Sequence, residues 1–284
     1  MNMSVGLDGQ EVSRPRQRAL VVPREHGAWG MLLVPLATGA AAGLMRGGQP
    51  LPLAIFTTAA MAVFWLRTPV ESWLGTTPLH AQSAAERRVV LVFILFLSAI
   101  AGLMLAALFW EGRNRSLLPL GAVAVLAFVV QAALKKLSRN LRMAAQVTGA
   151  LGLTAAAPAA YMVVTGRFDS IAAGLWLANW LFAGDQIHFV QLRIHAARAQ
   201  AAGEKLRRGR AFLAGQIGLV AALVLSAKLG LLPWPVLLAF APVLFRGLAW
   251  FVRGSQPLAV RRLGWSELAQ ALAFGALLIA GFAF

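Results

Sequence analysis

Nine apolar runs, each of a length that crosses a lipid bilayer, follow one another along the chain. They lie near residues 28–46, 50–66, 89–110, 117–134, 146–165, 170–190, 211–230, 233–251 and 267–284. A spanning helix needs about 20 mostly apolar residues, and the chain is 59% hydrophobic with a mean hydropathy of +0.71. The sequence therefore predicts an all-α fold, a polytopic transmembrane bundle of about nine helices.

Positive charges alternate with these runs and predict the orientation. With the N-terminus in the cytoplasm, most of the 26 Lys and Arg fall on the inner side, and the outer segments hold only Arg46, Arg113, Arg115, Arg167 and Lys228. Lys and Arg are retained on the cytoplasmic side of membrane proteins, and a miscounted span would invert every later loop. We therefore expect a cytoplasmic N-terminus and an external C-terminus. Topology accounts for the net charge of +16, so no nucleic-acid partner is expected.

The same reading predicts a simple domain organisation. Residues 1–22 are polar and basic and are predicted to form a disordered cytoplasmic tail, and residues 23–284 are predicted to form a single transmembrane domain. No small-residue cleavage site follows the first apolar run, so this run serves as the insertion signal. Long cytoplasmic loops are expected at 67–88 and 191–210, and loops of such length are usually functional.

The sixth run ends in the most polar stretch of the chain, GDQIHFVQLRIH. Asp185, His188 and His195 are spaced i, i+3 and i+10, which places them on one helical face. Asp185 and His188 are placed to share a proton, and His is an acid or base near neutral pH. Two histidines and one carboxylate without a spacing signature are weak evidence for a metal, so no metal site is predicted. In the alternative interpretation, these groups line an aqueous vestibule and pair with nearby arginines.

Two further stretches carry charge close to the predicted membrane. Lys135 and Lys136 directly follow the fourth run, and Gln146 begins the fifth, one turn deeper than Arg142. A phosphate or diphosphate would find cationic and polar contacts there. Arg67 and Glu71 are four residues apart at the end of the second helix. The positive-inside distribution and an interfacial salt bridge are the plain alternatives for these residues.

The first run is preceded by PREHGAWG. Arg24 fits positive-inside placement, which leaves Glu25 and His26 without a topological reason. Gly27 has no side chain, so a helix or ligand is able to approach His26 closely. We expect Glu25 and His26 to face a cytoplasmic cavity.

PREHGAWGMLLVPLATG resembles the opening signature of the YwiC-like family of bacterial membrane proteins. The resemblance implies a multi-pass protein of the bacterial plasma (inner) membrane, without implying a particular activity. More distantly, the nine helices, their orientation and the basic turn resemble the UbiA superfamily of intramembrane prenyltransferases. Lys135-Lys136 followed by Gln146 and Gly149 or Gly152 is similar to one UbiA pattern, and Trp180 followed by Asp185 is similar to the lead-in of its second aspartate motif.

The UbiA resemblance implies a magnesium-diphosphate site, but the ligands for it are missing. Arg67, Pro69 and Glu71 stand where the first aspartate motif would be, and His188, Leu192 and His195 follow Asp185 in the second. Magnesium needs hard oxygen ligands, so the sequence assigns no cofactor. If the chain is an enzyme, the resemblance implies a divergent prenyl or lipid transferase.

Three functions stay open, and the sequence favours the first of them. The first is binding, or transfer, of a lipid or isoprenoid with an anionic head in a cavity open to the cytoplasm, with membrane lipids as partners. The others are a small-solute or ion transporter and a non-catalytic assembly or regulatory protein. For the first function the candidate catalytic residues are Asp185, His188, His26 and Glu25, and the candidate substrate-binding residues are Arg24, Arg67, Glu71, Lys135, Lys136, Gln146, Arg193 and His195.

Overall fold

The computed structural model describes residues 14–23, 26–75, 79–112, 117–138, 141–197, 199, 201–253 and 259–283. These residues contain helices and no strands. The structure forms two compact units, Met1–Glu25 with Thr58–Ala107, and His26–Thr57 with Leu108–Phe284. The sites discussed below lie in the second unit.

Nine helical passes occupy the positions of the nine predicted runs within the described residues, which confirms the polytopic all-α fold class. Seven of these are long and apolar enough to cross a membrane, and Trp29–Leu44 is a shorter apolar helix. The elements are α1 Arg14–Val21, α2 His26–Leu44, α3 Pro50–Leu74, α4 Ala84–Trp110, α5 Leu117–Leu137, α6 Arg142–Thr154, α7 Ala156–Thr165, α8 Ser170–His195, α9 Ala202–Lys228, the 3-10 helix Trp234–Phe240, α10 Ala241–Val252 and α11 Val260–Ala283.

The predicted long cytoplasmic loops are wrong. α3 continues to Leu74 and α4 begins at Ala84, while α8 continues to His195 and α9 begins at Ala202. Hydropathy marks only the lipid-compatible part of a helix, whereas the backbone hydrogen bonds continue into polar sequence beyond it. The connections are therefore short, and the polar stretch after Asp185 is helical.

Part of the N-terminal tail is also ordered, so the predicted disorder is wrong for Arg14–Val21. In the first unit, Ser72 Oγ donates to the carbonyl of Leu20 at 2.9 Å and Trp65 Nε1 donates to that of Val21 at 2.7 Å. Carbonyls in the last turn of a helix lack intrahelical partners. The two side chains satisfy these carbonyls and hold the end of α1. The rest of the predicted tail, before residue 14, lies outside the described residues.

In the second unit, α2 packs on α7 through small residues. A Cβ added at Gly39 would overlap the carbonyl oxygen of Ala157, and one at Gly43 would lie 3.0 Å from Cβ of Val164. Glycines four residues apart let two membrane helices approach closely, because packing rather than hydrophobicity drives their association in lipid. This GxxxG pair explains why α2 packs closely on α7.

The fifth pass is broken between α6 and α7. Pro158 has no N–H to donate to the carbonyl of Thr154, so the helix is interrupted one turn earlier, at Ala155. The carbonyl of Leu151, in the last turn of α6, accepts from Trp176 Nε1 at 3.1 Å. Trp180 Nε1 likewise donates to the carbonyl of Val147, at 3.2 Å, and these two indoles fasten α8 to α6.

The eighth pass is also discontinuous. Pro233, Pro235 and Pro242 occur within ten residues, and the chain there forms the 3-10 helix Trp234–Phe240 before α10 begins. Proline removes the N–H donors that an α-helix would use. α10 consequently starts as a short, separate helix, and it carries Arg246.

Candidate functional site

Four consecutive passes of the second unit each contribute one polar side chain to a buried cluster. The residues are Asp185 on α8, Gln216 on α9, Arg246 on α10 and Glu267 on α11, and we call them the polar centre. Asp185 and Gln216 are each 6% exposed, and the side chains of Arg246 and Glu267 are 12% and 15% exposed. Ionisable groups at membrane depth are costly and usually mark functional pathways.

Arg246 links the two carboxylates of the polar centre. Its Nη1 donates to Oε1 of Glu267 at 2.5 Å, and its Nη2 donates to Oδ2 of Asp185 at 3.3 Å. Gln216 Nε2 donates to the other oxygen of Asp185. The four side chains therefore form one continuous hydrogen-bonded chain across four helices.

Neighbouring side chains hold the polar centre in place. Gln186 Nε2 donates to the backbone carbonyl of Glu267 at 2.9 Å, which ties α8 to α11. The guanidinium carbon of Arg246 lies 4.0 Å from the ring centroid of Phe189, a distance typical of a cation–π contact. Arg246 is thus fixed by two carboxylates on one side and by an aromatic face on the other.

In and beside the polar centre, more hydrogen-bond acceptors than donors lack a partner. Three buried acceptor oxygens have no donor among the described residues: Oε1 of Gln216, Oε2 of Glu267 and Oε1 of Gln270, one turn further along α11. On the donor side, Nε of Arg246 is also without a partner. Buried polar groups in native proteins are normally paired, so the region is suited to a ligand that brings hydrogen-bond donors.

Within the polar centre, negatively charged groups also outnumber positively charged ones. Two carboxylates of the polar centre contact the single guanidinium of Arg246. Arg193, about two turns beyond Asp185 on α8, acts electrostatically on Glu267 without reaching ion-pair distance. Unpaired charge is expensive in a low-dielectric interior, so a proton or another cation is the natural addition to this arrangement.

Aromatic side chains cover one end of the polar centre. Phe189, Phe212, Trp250 and Phe251, which we call the aromatic cluster, follow Asp185 and Arg246 on α8 and α10 and precede Gln216 on α9. Phe212 is 1% exposed, and its ring lies 5.8 Å from that of Phe189 and 6.5 Å from that of Phe251. The cluster therefore lies between the polar centre and the α8–α9 connection.

Glycines make room for the rings of this region. A Cβ at Gly247 would lie 3.0 Å from the Phe212 ring, and a Cβ at Gly209 would overlap the ring of Phe251. At Gly215 it would lie 2.8 Å from Nδ1 of His188. Three glycines on α9 and α10 thus allow the helices to close over aromatic side chains.

The predicted acid–base pair is only partly assembled. Asp185 belongs to the polar centre, whereas His188 is half-buried and lies edge-on to Phe212, with ring centroids 5.2 Å apart. His195 is exposed, and its Nδ1 lies 2.8 Å from the carbonyl of Gln191. Among the described residues, no three His, Asp or Glu side chains gather where they would hold a metal ion.

Among the predicted anion-binding residues of the second unit, Lys135, Lys136 and Gln146 have no described contact with the polar centre, whereas Arg193 acts electrostatically on Glu267. Lys135 and Lys136 are exposed at the end of α5, and Arg193 is half-buried. Gln146 accepts a hydrogen bond from Gln191 Nε2 at 3.1 Å, which gives this polar group inside the bundle a structural partner. The basic turn is therefore consistent with its topological explanation.

The remaining candidates lie in the first unit or at the start of α2. Arg67 Nε donates to Oε1 of Glu71 at 2.9 Å, the interfacial salt bridge expected as the plain alternative. Arg24 and Glu25 lie outside the described residues. His26 begins α2, but its side chain is outside the description, so the orientation of this pair stays a prediction.

The sequence reading missed three of the four members of the polar centre. Gln216 and Arg246 each interrupt an apolar run, and Glu267 stands at the start of the last one. An ionisable residue inside a spanning segment was the available signal. Hydropathy alone does not locate the break that precedes α10, so it did not place Arg246 beside Asp185.

A family model described as YwiC-like protein matches residues 22–161. No curated protein matches the chain. The polar centre lies beyond the matched residues, on α8 to α11.

Proposed function

We propose that this multi-pass integral membrane protein, whose residues 22–161 match the model of the YwiC-like proteins, is a transporter. The cargo class we propose is a proton, a small inorganic cation or a small solute with a protonated amine, bound at the polar centre. The finer assignment rests on the geometry of α8 to α11 and not on the family match.

The three buried oxygens without donors carry this proposal. Each unsatisfied polar group in a lipid-like interior costs several kcal/mol. A protonated carboxyl, an ammonium group or a hydrated cation supplies the missing donors or positive charge. An anionic group would add acceptors where unpaired acceptors already outnumber unpaired donors, so Glu267 and Gln216 favour a ligand that donates hydrogen bonds.

The helices around the polar centre support transport in particular. Transporters commonly bind their cargo at mid-depth, beside discontinuous helices. Here α10 begins after a 3-10 segment, and Arg246 lies in the second turn of this short helix. The α6–α7 break is a second discontinuity in the same unit.

The expected orientation gives the aromatic cluster a role. The distribution of Lys and Arg favours a cytoplasmic N-terminus in a bacterial plasma membrane. On that orientation the cluster separates the polar centre from the cytoplasm. We propose that it is the cytoplasmic barrier of a transport cycle, which must open to release or admit the cargo.

The lipid or isoprenoid function with an anionic head has less support. Lys135 and Lys136 are exposed, and Arg67 is paired with Glu71. Among the described residues, no hydrogen bond or ion pair joins Lys135 or Lys136 to Asp185. This function, with a divergent transferase activity, and the assembly or regulatory role therefore stay predictions from the sequence.

Electrical recording from proteoliposomes tests the proposal. The purified chain is reconstituted and exposed on a solid-supported membrane to concentration jumps of HCl, NaCl, KCl or methylammonium chloride. We expect a transient current with at least one of these cations, reduced at least tenfold by Asp185→Asn and by Glu267→Gln. Both substitutions remove a charge of the polar centre while nearly preserving side-chain shape.

Glu111→Gln is the matched control, because Glu111 is exposed and follows α4. This variant should give the wild-type current. Equal currents in all variants, or wild-type currents no larger than those of empty liposomes with every cation, would exclude the proposal. Native mass spectrometry of the same preparation then tests the alternative, which requires an isoprenoid or lipid retained by the wild type and lost in Lys135→Ala.

A further inference from the structure

A second candidate site, lined by arginines rather than carboxylates, lies at the other end of the second unit. A cavity of about 360 Å³ opens there between the α2–α3 connection and the end of α7, lined by residues 46–49 and by Val164, Thr165 and Arg167. Cavities of roughly 300–1,000 Å³ accommodate small ligands. Asp185 lies about 22 Å further along α8 at 1.5 Å per residue, so this cavity is separate from the polar centre.

Arg46 is held rigidly at the cavity. Its Nη1 donates to the carbonyl of Ala42 at 2.9 Å, and its Nη2 donates to the carbonyl of Phe282 at 3.3 Å. These carbonyls belong to the last turns of α2 and α11. A guanidinium has five N–H donors, so the two bonds orient the group and still leave it donors for a ligand.

The acid that pairs with Arg167 at the cavity, Asp169, is already fully engaged. Asp169 caps α8 by accepting from the N–H groups of Ile171 and Ala172 at 3.0 and 3.1 Å, and it accepts from Tyr161 Oη at 2.8 Å. Arg167 Nε lies 3.4 Å from the same carboxylate. Among the described residues, no carboxylate lies within ion-pair distance of Arg46, so the cavity carries net positive charge.

We propose that this cavity binds a phosphate group, presented either by a phospholipid headgroup or by a free phosphate-bearing solute. An oriented guanidinium offers the forked pair of donors that suits phosphate oxygens, and Arg167, 68% exposed on its side chain, adds a second cation at the rim. Gly47 has open space where a side chain would stand, which lets the ligand reach Arg46. On the expected orientation the site faces the outer side of the membrane.

Thermal unfolding of the detergent-purified full chain provides the test. Sodium phosphate is titrated against sodium chloride at equal ionic strength, since a ligand that binds only the folded state raises the melting temperature. We expect phosphate to raise it in the wild type. Arg167→Gln should reduce the rise by at least half, and so should Arg46→Lys, which keeps the charge but loses the fork.

Lys228→Gln is the control, because it removes one exposed positive charge at the end of α9 and should leave the phosphate effect unchanged. Native mass spectrometry with phosphatidylglycerol distinguishes the two sources of phosphate. Retained lipid that free phosphate displaces indicates a headgroup site, whereas a thermal shift without retained lipid indicates a solute site. An equal rise in Arg167→Gln and wild type, or no rise together with no retained lipid, would overturn the inference.

Discussion

Arg246 on α10 donates from Nη1 to Oε1 of Glu267 on α11 across 2.5 Å, and the same guanidinium reaches Asp185 on α8. A single side chain thus joins three helices in the interior of the second unit. Removing one partner of a buried ion pair leaves the other charges uncompensated. The stability of these helices is consequently tied to the chemistry of the polar centre.

Arg246→Leu should lower the free energy of unfolding by about 3–5 kcal/mol, because two carboxylates lose their guanidinium. Equilibrium unfolding in mixed micelles measures this change. Adding Asp185→Asn and Glu267→Gln to Arg246→Leu should recover part of the lost free energy of unfolding, because the two uncompensated carboxylates are then absent. Arg261→Leu, at an exposed position near the start of α11, should change stability by less than about 0.5 kcal/mol. If Arg246→Leu lowered the free energy of unfolding no more than Arg261→Leu does, a structural role for the Arg246–Glu267 pair would be contradicted.

Gly39→Ala should destabilise the α2–α7 packing. The new methyl group would overlap the carbonyl oxygen of Ala157, and overpacking of a close contact costs at least about 1–3 kcal/mol. Gly30→Ala on the same helix is the control. It meets no atom within 4 Å, and it gains helix propensity of up to about 1 kcal/mol. Thermal unfolding should therefore show a lower melting temperature for Gly39→Ala and an equal or higher one for Gly30→Ala. Equal melting temperatures for the two variants would refute the close contact at Gly39.

Phe212→Ala should open the polar centre to water. The chain contains no cysteine, so Gln216→Cys introduces a single reporter next to Asp185. We expect this thiol to react slowly with a charged methanethiosulfonate in the otherwise wild-type chain and at least tenfold faster when Phe212→Ala is added, because Phe212 fills the aromatic cluster. Leu238→Ala, at an exposed apolar position of the 3-10 helix, should leave the rate unchanged. Rapid labelling with Phe212 intact would show that the cluster is no barrier.

The orientation is open to a direct test with the same reagent. In intact cells, a membrane-impermeant thiol reagent should label Lys228→Cys and spare Lys136→Cys, and both should be labelled after permeabilisation. Both side chains are exposed at helix ends, so access depends on the side of the membrane. Labelling of Lys136→Cys alone in intact cells would invert the predicted topology, and the aromatic cluster would then face outwards.

The positions of the helices followed from the sequence to a large extent, because lipid imposes a length and a composition on every spanning segment. Where polar sequence continues a helix beyond the membrane, no such constraint applies. The ends of α3 and α8 and the start of α9 were therefore misplaced, and α1 was not recognised. The sequence also singled out Asp185, as a carboxylate within an apolar run, and the structure shows it buried among polar partners.

The partners of Asp185 depend on tertiary structure. Gln216, Arg246 and Glu267 are 31, 61 and 82 positions away from it in the chain numbering, and no periodicity in one helix specifies which face meets another. Packing decides this, through Gly215 and Gly247 on α9 and α10 and through the break before α10. The sequence alone determined that the chain folds as a membrane-spanning helical bundle, since burial of apolar runs in lipid is a local property. Only the folded structure decided which polar groups meet inside it, because contacts between distant residues follow from the close packing of complementary helix surfaces.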